Sequence, residues 1–329
     1  LACVFSHSCY TVTKQLQIIN YQGVVVALKA YFCKMKSHRA GFVAIVGKPN
    51  VGKSTLLNAL LGEQLSVVNP KAQTTRHRIK GILNHEDYQI VFSDTPGVLK
   101  PAYTLQERMM DAVDASLEDS DAILLVVECG EKKIADELEL RLAKTKTPVV
   151  VAVNKIDTSN QEQLEAAVEY WKEKLNPLAI IPISALEGFN TEKVTETLVT
   201  LIPENPPYFP KDDLSDRNVR FFVTEIIREQ ILRQYSKEIP YSCEVNITEY
   251  KEDENIDRIR CEIFVDRESQ KAIILGNKGT AIKNLGTQAR KRIEQFVGKH
   301  VFLELTVKVK SDWRNDPKTL DRFGYNQKN

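Results

Sequence analysis

Gly47-Lys-Pro-Asn-Val-Gly-Lys53-Ser54 reads G-x-x-x-x-G-K-S, between the apolar run 42–46 and the helical pattern 55–61. That strand, glycine loop and helix order is what phosphate binding requires. Backbone N–H groups of the loop and of the helix N-terminus can wrap a β-phosphate. Lys53 can reach the β- and γ-phosphates, and Ser54 can ligate Mg²⁺. The chemistry offered is nucleotide chemistry.

Further motifs fall at the C-terminal ends of expected strands, where an open α/β sheet binds ligands. Asp94-Thr-Pro-Gly97 closes the strand 88–93. Asp94 can hold Mg²⁺ through water, and Gly97 can present its N–H to a γ-phosphate and let the next segment swing. A plain turn is the bland reading of those four residues. Asn154-Lys155-Ile156-Asp157 follows the apolar strand 148–153. A carboxylate at Asp157 can accept from N1–H and N2–H₂ of guanine. Adenine has no donor at either place, so the wrong base would leave a buried charge unpaired. Asn154 can donate toward N7 and tie this loop to the phosphate loop, and the Lys155 stem can pack over the base. Ser184-Ala185-Leu186 lies in the next loop, where a backbone N–H could reach O6. The Thr-rich stretch 63–80 supplies the remaining mobile segment. Thr74 and Thr75 are its candidate sensors, with Thr75 preferred as a Mg²⁺ ligand.

A second site lies far along the chain. Gly276-Asn277-Lys278-Gly279 sits between two helical segments, after two strands and before one. A G-x-x-G turn in that order clamps single-stranded nucleic acid, as KH domains do. Ile274, Ile282 and Leu285 are candidates for an apolar platform beside the bases. Residues 271–318 carry 11 basic and 4 acidic side chains, a field suited to a polyanion. Lys283, Arg290, Lys291, Arg292, Lys308 and Lys310 are the candidate phosphate contacts, although neighbours such as Arg290 and Lys291 cannot face one strand together.

These residues need two frames to position them. Strand and helix alternate from 42 to 201, which predicts a mostly parallel sheet covered by helices on both faces. Four prolines within 203–210 end that rhythm, and the order becomes helix, strand, strand, helix, helix, strand. The expected domains are 35–202 for nucleotide, 203–217 as linker, 218–312 as an α+β type II KH domain, and 313–329 as a tail. Residues 1–34 are an extension without acids, read as upstream of a start at Met35 in preference to a targeting peptide. Its apolar run of about eight residues is too short to span a bilayer. The six cysteines form no C-x-x-C pair, which fits a reduced cytoplasmic setting, with Cys243 and Cys261 as buried thiols.

Phosphate loop, Thr-Thr-Arg, Asp-Thr-Pro-Gly, Asn-Lys-x-Asp and Ser-Ala-Leu stand in the order and spacing of a translation-factor-class GTPase. Gly47-Lys-Pro-Asn-Val-Gly-Lys-Ser-Thr-Leu-Leu-Asn58 and Lys71-Ala-Gln-Thr-Thr-Arg-His-Arg-Ile79 resemble the bacterial Era family in particular. The resemblance spans about 40–325. It implies GTP and Mg²⁺ roles for Gly47, Asn50, Lys53, Ser54, Thr55, Thr75, Asp94, Gly97, Asn154, Lys155, Asp157, Ser184 and Ala185, with Ser54, Thr75 and Asp94 around the metal; Val51, Gly52 and Leu186 complete the candidate nucleotide contacts. It further implies slow GTP–GDP cycling and binding near the 3′ end of 16S rRNA during 30S maturation. The protein is expected to be a cytoplasmic monomer, with peripheral contact to the cell membrane.

Hydrolysis departs from the Ras-like pattern. Val98 stands where a water-orienting Gln would, which predicts slow intrinsic turnover. Lys53, Mg²⁺ and backbone N–H groups near Thr75 and Gly97 are the remaining supports. In related GTPases an Asn at the place of Asn50 helps hold K⁺; a plain brace for the loop is the alternative. A P-loop ATPase or nucleotide kinase is the rival enzyme class, opposed by Asp157. A GTP-dependent membrane scaffold is the non-enzymatic rival.

Overall fold

The computed structural model describes residues 38–71 and 73–325. The extension 1–34, with its first three cysteines, lies outside the described residues. From Arg39 onward the chain forms one compact unit.

β1 (Arg39–Val46) lies between β3 (Tyr88–Asp94) and β4 (Ala122–Glu128), parallel to both. β5 (Val149–Asn154) and β6 (Ala179–Pro182) continue the parallel set, and β2 (Ile79–Asn84) runs antiparallel on β3. The order is β2-β3-β1-β4-β5-β6. The central strands are continuous apolar runs because both faces are covered. α1 (Lys53–Leu61) and α5 (Thr191–Leu201) bury Leu56, Leu57, Val194 and Leu198 against one face. α2 (Thr104–Glu118), α3 (Asp136–Lys144) and α4 (Gln161–Leu175) bury Met109, Val113, Leu138 and Trp171 against the other. A capping box between Asn160 and Gln163 starts α4, satisfying two otherwise orphaned N–H groups.

The proline segment is a fixed strap along the β2–β3 edge. Buried Gln89 accepts from Tyr208 N at 2.8 Å and Phe209 N at 3.0 Å, and donates to Phe209 O at 2.9 Å. Farther on, Ile82 N donates to Leu214 O at 2.9 Å and Ser215 Oγ to Lys80 O at 2.6 Å. Edge strands invite foreign pairing, and this strap covers one.

α6 (Val219–Gln234) and the short α7 (Ile239–Ser242) lead into β7 (Cys243–Lys251) and β8 (Ile256–Val265), an antiparallel hairpin. α8 (Glu268–Leu275), a 3₁₀ turn at Asn277–Gly279 and α9 (Thr280–Val297) follow. β9 (His300–Val309) then joins β8 in parallel, leaving β8 central. α6 and α9 bury Val223, Ile227, Ile231, Leu285, Ala289 and Ile293 against the sheet. Cys243 and Cys261 are buried free thiols as expected, raised by burial to about 11 and about 12. The tail then returns to the first domain. Trp313, Leu320 and Tyr325 pack into the core that holds Leu105 and Met109 of α2, with α10 (Pro317–Arg322) between them.

Candidate functional site

One cavity of about 520 Å³ gathers residues from both ends of the G-motif series. Asn50, Gly52, Lys53, Ser54, Thr55, Thr75, Gly97, Asn154, Lys155, Asp157, Ala185 and Leu186 line it. Thr74, the second candidate sensor, also lines it, and the rest of the wall, Pro49, Val67–Pro70, Gln73 and Thr158, has no role read from the sequence. Gly47, Val51, Asp94 and Ser184 are buried and do not belong to the lining. Gly52 has φ 98°, and a Cβ there would meet Asn154 Nδ2 at 2.2 Å, so the closeness of phosphate loop and base loop excludes a side chain. Asn154 is buried and joins three loops: Nδ2 donates to Val51 O at 2.8 Å, and Oδ1 accepts from Ala185 N at 2.9 Å.

Asp157 is exposed into the cavity and accepts from Ser184 Oγ at 2.6 Å through Oδ1. That bond aims the carboxylate and leaves lone pairs for a base edge. Ser184 N donates to Phe189 O at 3.3 Å, and Ala185 N is held by Asn154. The amide expected at O6 can therefore serve from Ala185 only as a shared, three-centre donor. Lys155 Nζ pairs with Glu128 at 2.7 Å, which stretches its stem along the cavity wall.

At the phosphate end, Lys53 Nζ donates to Lys48 O at 2.8 Å and Gly47 O at 3.2 Å. Burial pulls its ammonium down to about 8, against the opposing fields of Asp94 and Glu131. Ser54 Oγ donates to Asp94 Oδ2 at 2.8 Å and lies 3.0 Å from Thr75 Oγ1. Thr75 Oγ1 donates to Asp94 Oδ2 at 3.4 Å. Burial pushes the Asp94 carboxyl up, against the pull of Lys53 and neighbouring hydroxyls. Its Oδ1 is buried with no hydrogen-bond partner. An all-oxygen cluster with one orphaned carboxylate oxygen fits a hard divalent cation such as Mg²⁺. Val98 is buried in the core, and its N–H donates to Gly47 O at 3.1 Å; its side chain holds no water.

A groove of about 460 Å³ runs between α9 and the edge strand β9, lined by Lys283, Arg290, Ile282, Gly286, Thr287 and residues 301–305. The Gly276–Gly279 turn opens α9. Gly276 has φ 70°, and a Cβ there would meet Ala281 Cβ at 2.5 Å. Lys278 also takes a left-handed φ of 48°. The expected apolar platform needs correction. Ile274 and Leu285 are fully buried in the core, because the α8 and α9 faces that carry them pack on the sheet. Ile282 alone of the three faces the groove. Lys308 and Lys310 do not line it either: they pair with Glu262 at 2.5 Å and Asp316 at 3.8 Å. Phe302 was missed. It is 47% exposed at the groove, with the Arg258 guanidinium 5.9 Å from its ring centroid. Its signal was an aromatic at a solvent-facing position of an alternating strand.

Arg76, the last residue of Thr-Thr-Arg, has no role legible in the sequence. Its guanidinium is buried against the second domain, donating to Pro240 O and Cys243 O, both at 2.8 Å, and to Glu244 Oε2 at 3.1 Å. Arg228 reaches the other way from α6, to Thr74 O and Gln73 O. Burial would raise the Glu225 carboxyl, but the bonded Arg228 holds it below its ordinary value. His77 stacks on Tyr325 with ring centroids 4.2 Å apart. Burial, reinforced by nearby arginines, pulls it down to about 4, so it is a neutral ring.

The phosphate loop, the oxygen cluster and the base-reading carboxylate, joined to an α-β-β-α-α-β unit with a G-x-x-G turn, define a two-domain P-loop GTPase with a C-terminal KH domain. Residues 42–155 match the family described as 50S ribosome-binding GTPase, and residues 238–314 match the KH domain family. GTPase Era of Staphylococcus haemolyticus (strain JCSC1435) is 42% identical over 294 residues, covering 88% of this chain and 98% of that protein. The crystal structure of a single-substitution variant of Aquifex aeolicus Era bound to GDP·AlF₄⁻ superposes with a TM-score of 0.83 at 39% identity, covering 87% of this chain and 99% of that one. Era in complex with MgGDPNP and nucleotides 1506–1542 of 16S ribosomal RNA gives a TM-score of 0.84 at 39% identity, with 88% and 99% covered. The chain belongs to the Era family of GTPases.

Proposed function

We propose that this protein is a GTP-driven switch that binds the 3′ region of 16S rRNA and assists maturation of the 30S subunit in the cytoplasm. The observation that carries the reading is that three consecutive residues, Thr74, Thr75 and Arg76, reach both the oxygen cluster and the KH domain. The solved Era complex with MgGDPNP and a 16S rRNA fragment supports the choice of both ligands.

Asp157 selects guanine, and the backbone around Gly52 cradles the phosphates. Ser54, Thr75 and Asp94 would hold Mg²⁺, which neutralises charge on the β- and γ-phosphates. Lys53 takes up the phosphate charge once the ligand replaces its carbonyl partners. Gly97 lies against the phosphate loop, where a Cβ would meet Pro49 N at 2.6 Å, so loss of the γ-phosphate is felt at once in the segment that follows. Asn50, with φ 66° at the cavity wall, is the proposed K⁺ ligand; a fixed monovalent charge there stabilises developing negative charge. With Val98 buried, no side chain at that position orients water, and unstimulated turnover is slow.

RNA affinity measured with GDP and with a non-hydrolysable GTP analogue tests the switch. The analogue should strengthen binding at least several-fold, and equal affinities would remove the coupling. For Asn50, hydrolysis should run faster in K⁺ than in Na⁺, and N50A should abolish that difference.

A further inference from the structure

We propose that Arg76 is a positioning residue for the triphosphate state: the KH domain grips its guanidinium and thereby places Thr75 beside Ser54 and Asp94. The inference rests on the GTPase reading of the cavity.

Thr75 lies between two residues held by the other domain. On its C-terminal side, Arg76 is 1% exposed, and three KH-domain acceptors surround its fork. They come from α7 and the first two residues of β7. Tyr325 closes the socket, its hydroxyl donating to Glu244 Oε2 at 2.7 Å. On its N-terminal side, Thr74 O accepts from Arg228, and Lys71 donates to Leu232 O and Tyr235 O of the KH domain. Thr74 Oγ1 ties back to Lys71 O at 2.6 Å. The hydroxyl of Thr75, by contrast, hydrogen-bonds within the nucleotide domain, to Ser54 at 3.0 Å and Asp94 at 3.4 Å.

The consequence is energetic. A segment ordered by nucleotide alone draws its whole ordering entropy from the binding energy of the γ-phosphate and metal. Here the KH socket supplies part of that order beforehand. A buried guanidinium has no water to fall back on, so it stays where its acceptors are. Lysine is a poor substitute, because one ammonium cannot spread over acceptors reached by a planar fork.

A plain interdomain rivet would make a different prediction. GDP uses the phosphate loop and base pocket but not Thr75, so loss of a rivet would weaken GDP and GTP alike, or neither. Loss of positioning would weaken the triphosphate alone. The experiment uses the full chain as R76A, R76K and Y325F. Affinity for GDP and for a non-hydrolysable GTP analogue is measured across a Mg²⁺ titration, with thermal unfolding alongside. In R76A the analogue should bind about tenfold more weakly, the weight of roughly one lost contact, and need more Mg²⁺, while GDP affinity stays within about twofold. R76K should fall between wild type and R76A, and Y325F should lose least. Equal weakening of both nucleotides, or of neither, overturns the proposal. Should R76A fail to fold, R76K and Y325F carry the same comparison. Failure of the unaltered protein to bind the GTP analogue would instead sink the GTPase reading itself.

Discussion

In the nucleotide cavity the recognition groups are held by hydrogen bonds from the protein itself. Asn154 is bonded on both sides of its amide, Ser184 aims Asp157, and Ser54 and Thr75 meet on Asp94. In the groove between α9 and β9, Lys283 and Arg290 line an open channel and the Phe302 ring faces solvent. The cavity selects a small ligand by fixed geometry, where an unpaired buried group is costly. The groove is suited to a flexible polymer held by charge and stacking, which tolerate variation. A single substitution should therefore act almost as a switch in the first region and as a dial in the second.

The sharpest break of that contrast is Asp157→Asn. GTP affinity should fall about a hundredfold or more, with xanthosine nucleotides gaining, as competition binding would report. If ATP competes equally with GTP in the unaltered protein, the base assignment fails. Next in size is Phe302→Ala. RNA affinity should fall about tenfold, the worth of one stacked base, with GTP affinity unchanged; separate titrations of single-stranded RNA and of GTP measure the two halves, and unaltered RNA binding would move the recognition surface elsewhere. The smallest effect concerns pH. Burial pulls the Lys53 ammonium down to about 8, charged below and neutral above, and phosphate binding requires the charge. Nucleotide affinity should hold below that pH and decline above it, approaching tenfold per unit. Calorimetry in buffers of different ionisation enthalpy should find proton uptake on binding, and its absence would show that Lys53 keeps its charge throughout.

Legibility differed between the regions for the same reason. Phosphate and guanine chemistry is done by backbone amides, glycines and short side chains at strand ends, so it is written in contiguous motifs. Gly52, Lys53, Ser54, Asp94, Asn154 and Asp157 could be named from spacing alone. The groove depends on which side of a helix or strand each residue faces. There Ile282 was separable from Ile274 and Leu285 only once α8 and α9 were seated on the sheet, and Lys308 and Lys310 carry charge that neighbouring carboxylates already claim.

The sequence by itself determined the order of strands and helices, the nucleotide motifs and the G-x-x-G turn, because each rests on local periodicity or local backbone freedom. Only the tertiary structure decided what joins them. The strap held by Gln89, the tail packed beside α2 and the burial of Arg76 in the KH domain all pair residues more than a hundred positions apart or on separate elements. No local pattern marks an arginine as interior. That follows only when distant acceptors converge on its guanidinium and exclude water.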